Sequence, residues 1–139
     1  MGKMRRIRSL VITPFDAAGA RILDAVRRAL EEIGVEVFRF DNIAAGALWA
    51  NAITDAVRSS DFLVVDVTRQ NPNVFYELGF AHALRKPTIL ITSSEATGAL
   101  PSDLAGFQYI VYDPGNLRDL VNHLQRSARA FVARGEESK

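Results

Sequence analysis

Two carboxylates stand where the chain otherwise reads as buried. Asp66 follows the apolar run FLVV, and eleven residues later Glu77 sits between Tyr76 and Leu78 in NVFYELGF. A carboxylate held among apolar side chains needs hydrogen-bond partners or takes a raised pKa, and such perturbed groups concentrate at functional sites. Each has an ordinary alternative. Asp66 can be a loop or helix cap. Glu77 can be a first-turn glutamate favoured by the helix dipole. The flanking Phe75, Tyr76, Leu78 and Gly79 favour a pocket role for Glu77.

The remaining composition narrows the chemistry. The absence of cysteine excludes disulfides, thiolate nucleophiles and zinc fingers. The two histidines are far apart, which argues against a His-based metal site. His82 follows Phe75 and Leu78 at helical spacing and reads as a core or interface residue; His123 reads as a surface one. Neither G-x-G-x-x-G nor a P-loop occurs. A net charge of +1 over 139 residues gives no global pull toward nucleic acid or membrane. No apolar stretch approaches the roughly 18 residues that span a bilayer. The basic opening, Met1 to Arg8, leads to a short apolar run and Pro14, not to a signal-peptide core. The expectation is a cytoplasmic protein with no metal or cofactor and no nucleic-acid or membrane partner.

The elements that must position the carboxylates alternate strictly. Five β-like runs occur at Arg8–Thr13, Val35–Phe40, Phe62–Val67, Thr88–Thr92 and Gln108–Tyr112. Between the first two, Ile22, Val26, Leu30 and Ile33 share a helical face that Gly34 can stop. Trp49, Ile53, Ala56 and Val57 mark a second helix. A third opens after Asn71-Pro72-Asn73 and runs to about Arg85, with Pro72 suited to the first helical position. Leu117, Leu120, Val121, Leu124, Ala128 and Phe131 mark the last. The expected fold is an α/β, three-layer α/β/α, flavodoxin-like domain over residues 1–134. Its five-stranded parallel sheet takes the order 2-1-3-4-5, and residues 135–139 form a frayed tail. Such sheets bind ligands at the carboxyl ends of strands 1 and 3, which places Asp66 and Glu77 together at one crevice. Ser93–Phe107 leaves strand 4 there and is long enough to wall it.

The run DVTRQNPNVFYELGFAHALRKP resembles the signature of the nucleoside 2-deoxyribosyltransferase-like superfamily, nearest its small bacterial TIR-like or nucleotide-binding members. The similarity is dense over Asp61 to Thr92 and looser at Leu100–Leu104 and Tyr109–Tyr112. It implies an N-glycosidase or pentosyltransferase that acts on a nucleoside, a nucleotide or an NAD-like molecule, commonly as a homo-oligomer. Carried over, Glu77 is the nucleophile at the anomeric carbon, a task that suits a carboxylate. Asp66 binds sugar hydroxyls or holds the Asn71 loop. Asn71 and Asn73, at a helix start, meet a phosphate or sugar. Thr13, Pro14 and Phe15 form the opposite wall, and Tyr76 packs or orients. Apart from the resemblance, the position of Asp16 and Arg21 near the exit of strand 1 makes them candidates for ligand contact.

The chain departs from that pattern in two places. The enzymes usually carry an acid on the helix before strand 3, where this sequence has Ile53. Asp55 is turned about 200° away around the helix. Without a general acid only a good leaving group departs readily, such as the cationic nicotinamide of NAD. The alternatives are therefore a TIR-like NAD-cleaving domain and a non-catalytic nucleotide-sensing module. Arg85 replaces a glycine often found before the K-P pair, which weakens the expected helix stop.

Overall fold

The computed structural model describes residues 6–14, 16–39, 47–69, 72–96 and 109–137, without the side chains of 47–51, 73 and 135–137. Strands β1 (Arg8–Ile12), β2 (Glu36–Arg39), β3 (Phe62–Asp66), β4 (Thr88–Ser93) and β5 (Tyr109–Tyr112) alternate with helices α1 (Ala17–Glu32), α2 (Ala47–Ser59) and α3 (Pro72–Ala83). Helix α4 (Leu117–Glu137) follows β5. All neighbouring strands are parallel, and their order is β2-β1-β3-β4-β5. The α/β flavodoxin-like fold with a 2-1-3-4-5 sheet is thus the observed one.

Strand alternation divides the core in two. Val11, Phe62, Val64, Ile91, Ile110 and Tyr112 face α1 and α4, which pack on each other and supply Val26, Leu30, Leu120 and Leu124. Leu10, Ile12, Leu63, Val65 and Leu90 face α2 and α3, which supply Ile53, Val57, Val74, Leu78 and Ala81. The central strand β3 is buried along its whole length, so its sequence is apolar on both faces until Asp66. Phe62 and Phe131 stack at 4.9 Å and fix α4 over β3. Among the described residues no helix is long and apolar enough to cross a membrane.

Two helix ends show how local chemistry sets the connections. At the end of α1, Gly34 has φ 85°; its N–H donates to Glu31 O, and the Val35 N–H donates to Leu30 O. This is the left-handed stop that glycine favours. The end of α3 repeats the pattern with Arg85 at φ 56°: Arg85 N–H donates to His82 O and Lys86 N–H to Ala81 O. The helix therefore stops at the expected place despite lacking glycine. Lys86 helps hold the turn, since its Nζ donates to Ser60 O at 2.7 Å and Arg58 O at 3.0 Å.

Candidate active site

The carboxyl end of the sheet carries a welded polar floor. Asp66, the last residue of β3, is 3 % exposed. Its Oδ1 accepts from Thr68 N at 2.9 Å and from Thr68 Oγ1 at 2.5 Å. Its Oδ2 accepts from Tyr112 Oη, on β5, at 2.7 Å. Thr68 Oγ1 in turn accepts from Ser93 N at 2.8 Å, which ties in the end of β4. Ser93 Oγ accepts from Glu95 N. Burial, and then the Asp66 charge, push the Tyr112 phenol up, so it remains a protonated donor. The ends of three strands are thereby joined around one carboxylate.

Glu77 occupies a different environment. It lies in the second turn of α3, on the stripe that buries Val74, Leu78 and Ala81 at spacings of three and four. It is 5 % exposed, and burial pushes its carboxyl from the ordinary 4.5 up to about 7.

The two carboxylates belong to opposite faces of the sheet. Asp66 has the parity of Phe62 and Val64, so it leaves the sheet toward α1 and α4, where Tyr112 meets it. Glu77 belongs to α3, which covers the other face with α2. The period-two alternation of β3 sets this difference from the single expected crevice: Val65 faces α3, and Asp66, the next residue, faces away from it.

The remaining expected residues separate similarly. Pro14 and Asp66 line a cleft of about 250 Å³ on the α1 face, together with Arg21, Arg69, Ser93, Glu95 and Tyr112. Asp16 is the N-cap of α1, with Oδ1 accepting from Gly19 N at 2.7 Å, and it pairs with Arg69. Thr13 is 2 % exposed, just past β1, and its Oγ1 finds no hydrogen-bond partner among the described residues. Such a buried, unpaired hydroxyl calls for an explanation. Tyr76 is 50 % exposed and meets Phe80 edge-to-face at 5.0 Å. Phe15, Asn71 and the Asn73 side chain lie outside the described residues, as do the side chain of Trp49 and residues 97–108. His82, expected in the core or at an interface, is exposed and so not a core residue, because α3 turns Val74, Leu78 and Ala81 inward instead. His123 is exposed as expected.

Sequence reasoning did not find Tyr112, Ser93 or Arg69. Tyr112 reads only as the end of an apolar strand, and nothing local reveals its partner 46 positions away. Thr68 was open to detection: an aspartate accepting from the backbone two residues on is a common turn device, and D-V-T has that spacing.

Neither a family model nor a curated protein matches the chain. Solved structures do. Clostridium botulinum CMP N-glycosidase BcmB superposes with a TM-score of 0.62 at 20 % identity, over 84 % of this chain and 97 % of that one. A 2-deoxyribosyltransferase from Bacillus psychrosaccharolyticus gives 0.59 at 14 % identity, over 83 % and 90 %. A flavodoxin-like domain from a Synechococcus species gives 0.59 at 16 %, over 89 % and 94 %. At these identities the likeness establishes the fold that this chain shares with the three, a five-stranded parallel sheet between helical layers.

Proposed function

We propose that the protein cleaves or transfers at the N-glycosidic bond of a nucleoside or nucleotide, with Glu77 as nucleophile. The observation that carries this reading is the burial of Glu77 on the inward stripe of α3, where packing alone would select an apolar residue. The Y-E-L-G motif around it and the fold shared with a CMP N-glycosidase and a 2-deoxyribosyltransferase support it. The Glu77 carboxylate attacks the anomeric carbon while the bond to the base nitrogen breaks, and the electron pair leaves with the base. Water then hydrolyses the glycosyl ester: its hydroxyl goes to the sugar, its proton to the base, and the carboxylate is restored. Transfer to a second base is the same step with a nitrogen nucleophile.

Asp66 contributes by position. With both oxygens taken by Thr68 and Tyr112, it holds the first residues of the β3–α3 connection.

A second reading has its own observation. Ile53 is fully buried in the core beneath α2, and Asp55 is exposed, so neither is an acid for the leaving base. This favours a substrate whose base leaves unaided, such as nicotinamide from NAD, or a sensor that binds without turnover. Chromatography of wild type and Glu77→Ala incubated with deoxynucleosides, nucleoside monophosphates and NAD separates the readings. Base released by wild type alone supports the nucleophile, and the substrate consumed names the class. Equal release by both proteins removes Glu77 from the chemistry. No release, with saturable binding, selects the sensor.

A further inference from the structure

The α1-face cleft lies across the sheet from Glu77, and the proposed reaction leaves it without a role. Its floor is the Asp66–Tyr112–Thr68–Ser93 network, whose polar groups already satisfy one another and so present a fixed surface. Its walls are set by close packing. A Cβ on Gly19 would stand 1.9 Å from Pro14 O, so the first turn of α1 is pressed onto the exit of β1. Pro14, Ile22 and Pro114 give the cleft an apolar side.

The rim is where chemistry remains available. Among the described residues Arg21 makes one side-chain hydrogen bond, to Pro114 O at 3.3 Å, and retains most of its five donors. Arg69 adds a second guanidinium, held in place by Asp16. The Glu95 carboxylate has no counter-ion among the described residues, although Arg21 and Arg69 line the same cleft. Arg21 and Glu95, each without a counter-ion among the described residues, and Arg69, already paired with Asp16, suit a ligand that brings both an anion and hydrogen-bond donors. Paired guanidinium groups suit a phosphate, and a carboxylate accepts from sugar hydroxyls. The location agrees, since open parallel sheets bind ligands outside the carboxyl ends of their strands.

We infer that this cleft is a second ligand site that takes a small phosphorylated sugar, with the phosphate between Arg21 and Arg69 and the hydroxyls on Glu95. It stands whether or not Glu77 turns over a substrate.

Calorimetric titration of the full chain tests it, with ribose 5-phosphate, ribose and inorganic phosphate as probes. Ribose 5-phosphate is expected to bind more tightly than either fragment. Arg21→Gln and Glu95→Gln are expected to weaken it roughly tenfold or more, with unchanged melting curves. Equal binding of ribose would remove the role of the arginines, and equal binding of phosphate that of Glu95. Absence of saturation with all three probes overturns the site. So does loss of binding in Glu77→Gln with Arg21→Gln unaffected, which would move the ligand to α3.

Discussion

Tyr112 Oη donates to Asp66 Oδ2 at 2.7 Å across 46 positions of sequence, joining the end of β5 to the end of β3. Both groups are buried, so each depends on the other for satisfaction. Asp66→Ala removes the acceptor of Tyr112 Oη, Thr68 N and Thr68 Oγ1, leaving the two hydroxyls only their mutual 3.4 Å contact and the Ser93 N bond, and is expected to cost about 2–4 kcal/mol. Tyr112→Phe removes one donor and leaves Asp66 with its two bonds from Thr68, costing about 1–2 kcal/mol. Denaturant unfolding of both single variants and the double variant checks this. The double variant should cost less than the sum, and strict additivity would mean that the pair is not coupled.

Glu77 should make stability depend on pH. Its carboxyl is raised from 4.5 to about 7 in the folded state, so the fold binds its proton more tightly than the unfolded chain does. The contribution is fully present below about pH 4.5 and is lost as pH rises through about 7. At most about 3 kcal/mol is at stake. Glu77→Gln abolishes the titration. The variant is expected to gain stability over wild type at pH 8 and to differ little at pH 5. An equal difference at the two pH values would show that burial does not raise this group.

Arg85 holds a backbone conformation that costs a residue with a Cβ about 1–2 kcal/mol. The side chain is exposed, so little packing is lost on replacing it. Arg85→Gly is therefore expected to stabilise the protein by about 1 kcal/mol, against a small entropic cost in the unfolded chain. Thermal unfolding gives the sign directly, and a destabilised variant would mean that the Arg85 side chain holds the turn in another way.

The frame of the molecule was open to sequence reading because its signals are local. β3 is apolar at every position until Asp66, which marks a central parallel strand, and Gly34 and Pro72 mark a helix end and a helix start. The inward stripe of α3 was harder. Val74, Leu78 and Ala81 define it only once the sheet is in place, and Glu77 then falls among them. Both carboxylates fall near the carboxyl end of β3, but one position along a strand reverses the face, so their nearness in sequence does not show that Asp66 turns toward Tyr112 while Glu77 belongs to the α3 layer. The floor around Tyr112 was out of reach, since it joins residues that meet only through the order β3-β4-β5.

Gly19 gives a test in which helix propensity and packing have opposite signs. Alanine is the better helix former by about 1 kcal/mol, so on an open helix Gly19→Ala would stabilise. Here its Cβ would lie 1.9 Å from Pro14 O and 2.8 Å from the Pro14 carbonyl carbon. Both are backbone atoms, which cannot rotate away as the end of a side chain can. Relief requires α1 to lift from β1, which strains the cap in which Asp16 accepts from Gly19 N and displaces Ile22 from the core. Overpacking of this kind costs about 1–3 kcal/mol, so the variant is expected to be net destabilised by about 1–2 kcal/mol. Because Pro14 and Gly19 wall the α1-face cleft, the same change should also weaken ribose 5-phosphate binding there. A variant more stable than wild type, as read by denaturant unfolding, would show that the β1 exit yields easily and that the wall of the cleft is not fixed by this contact.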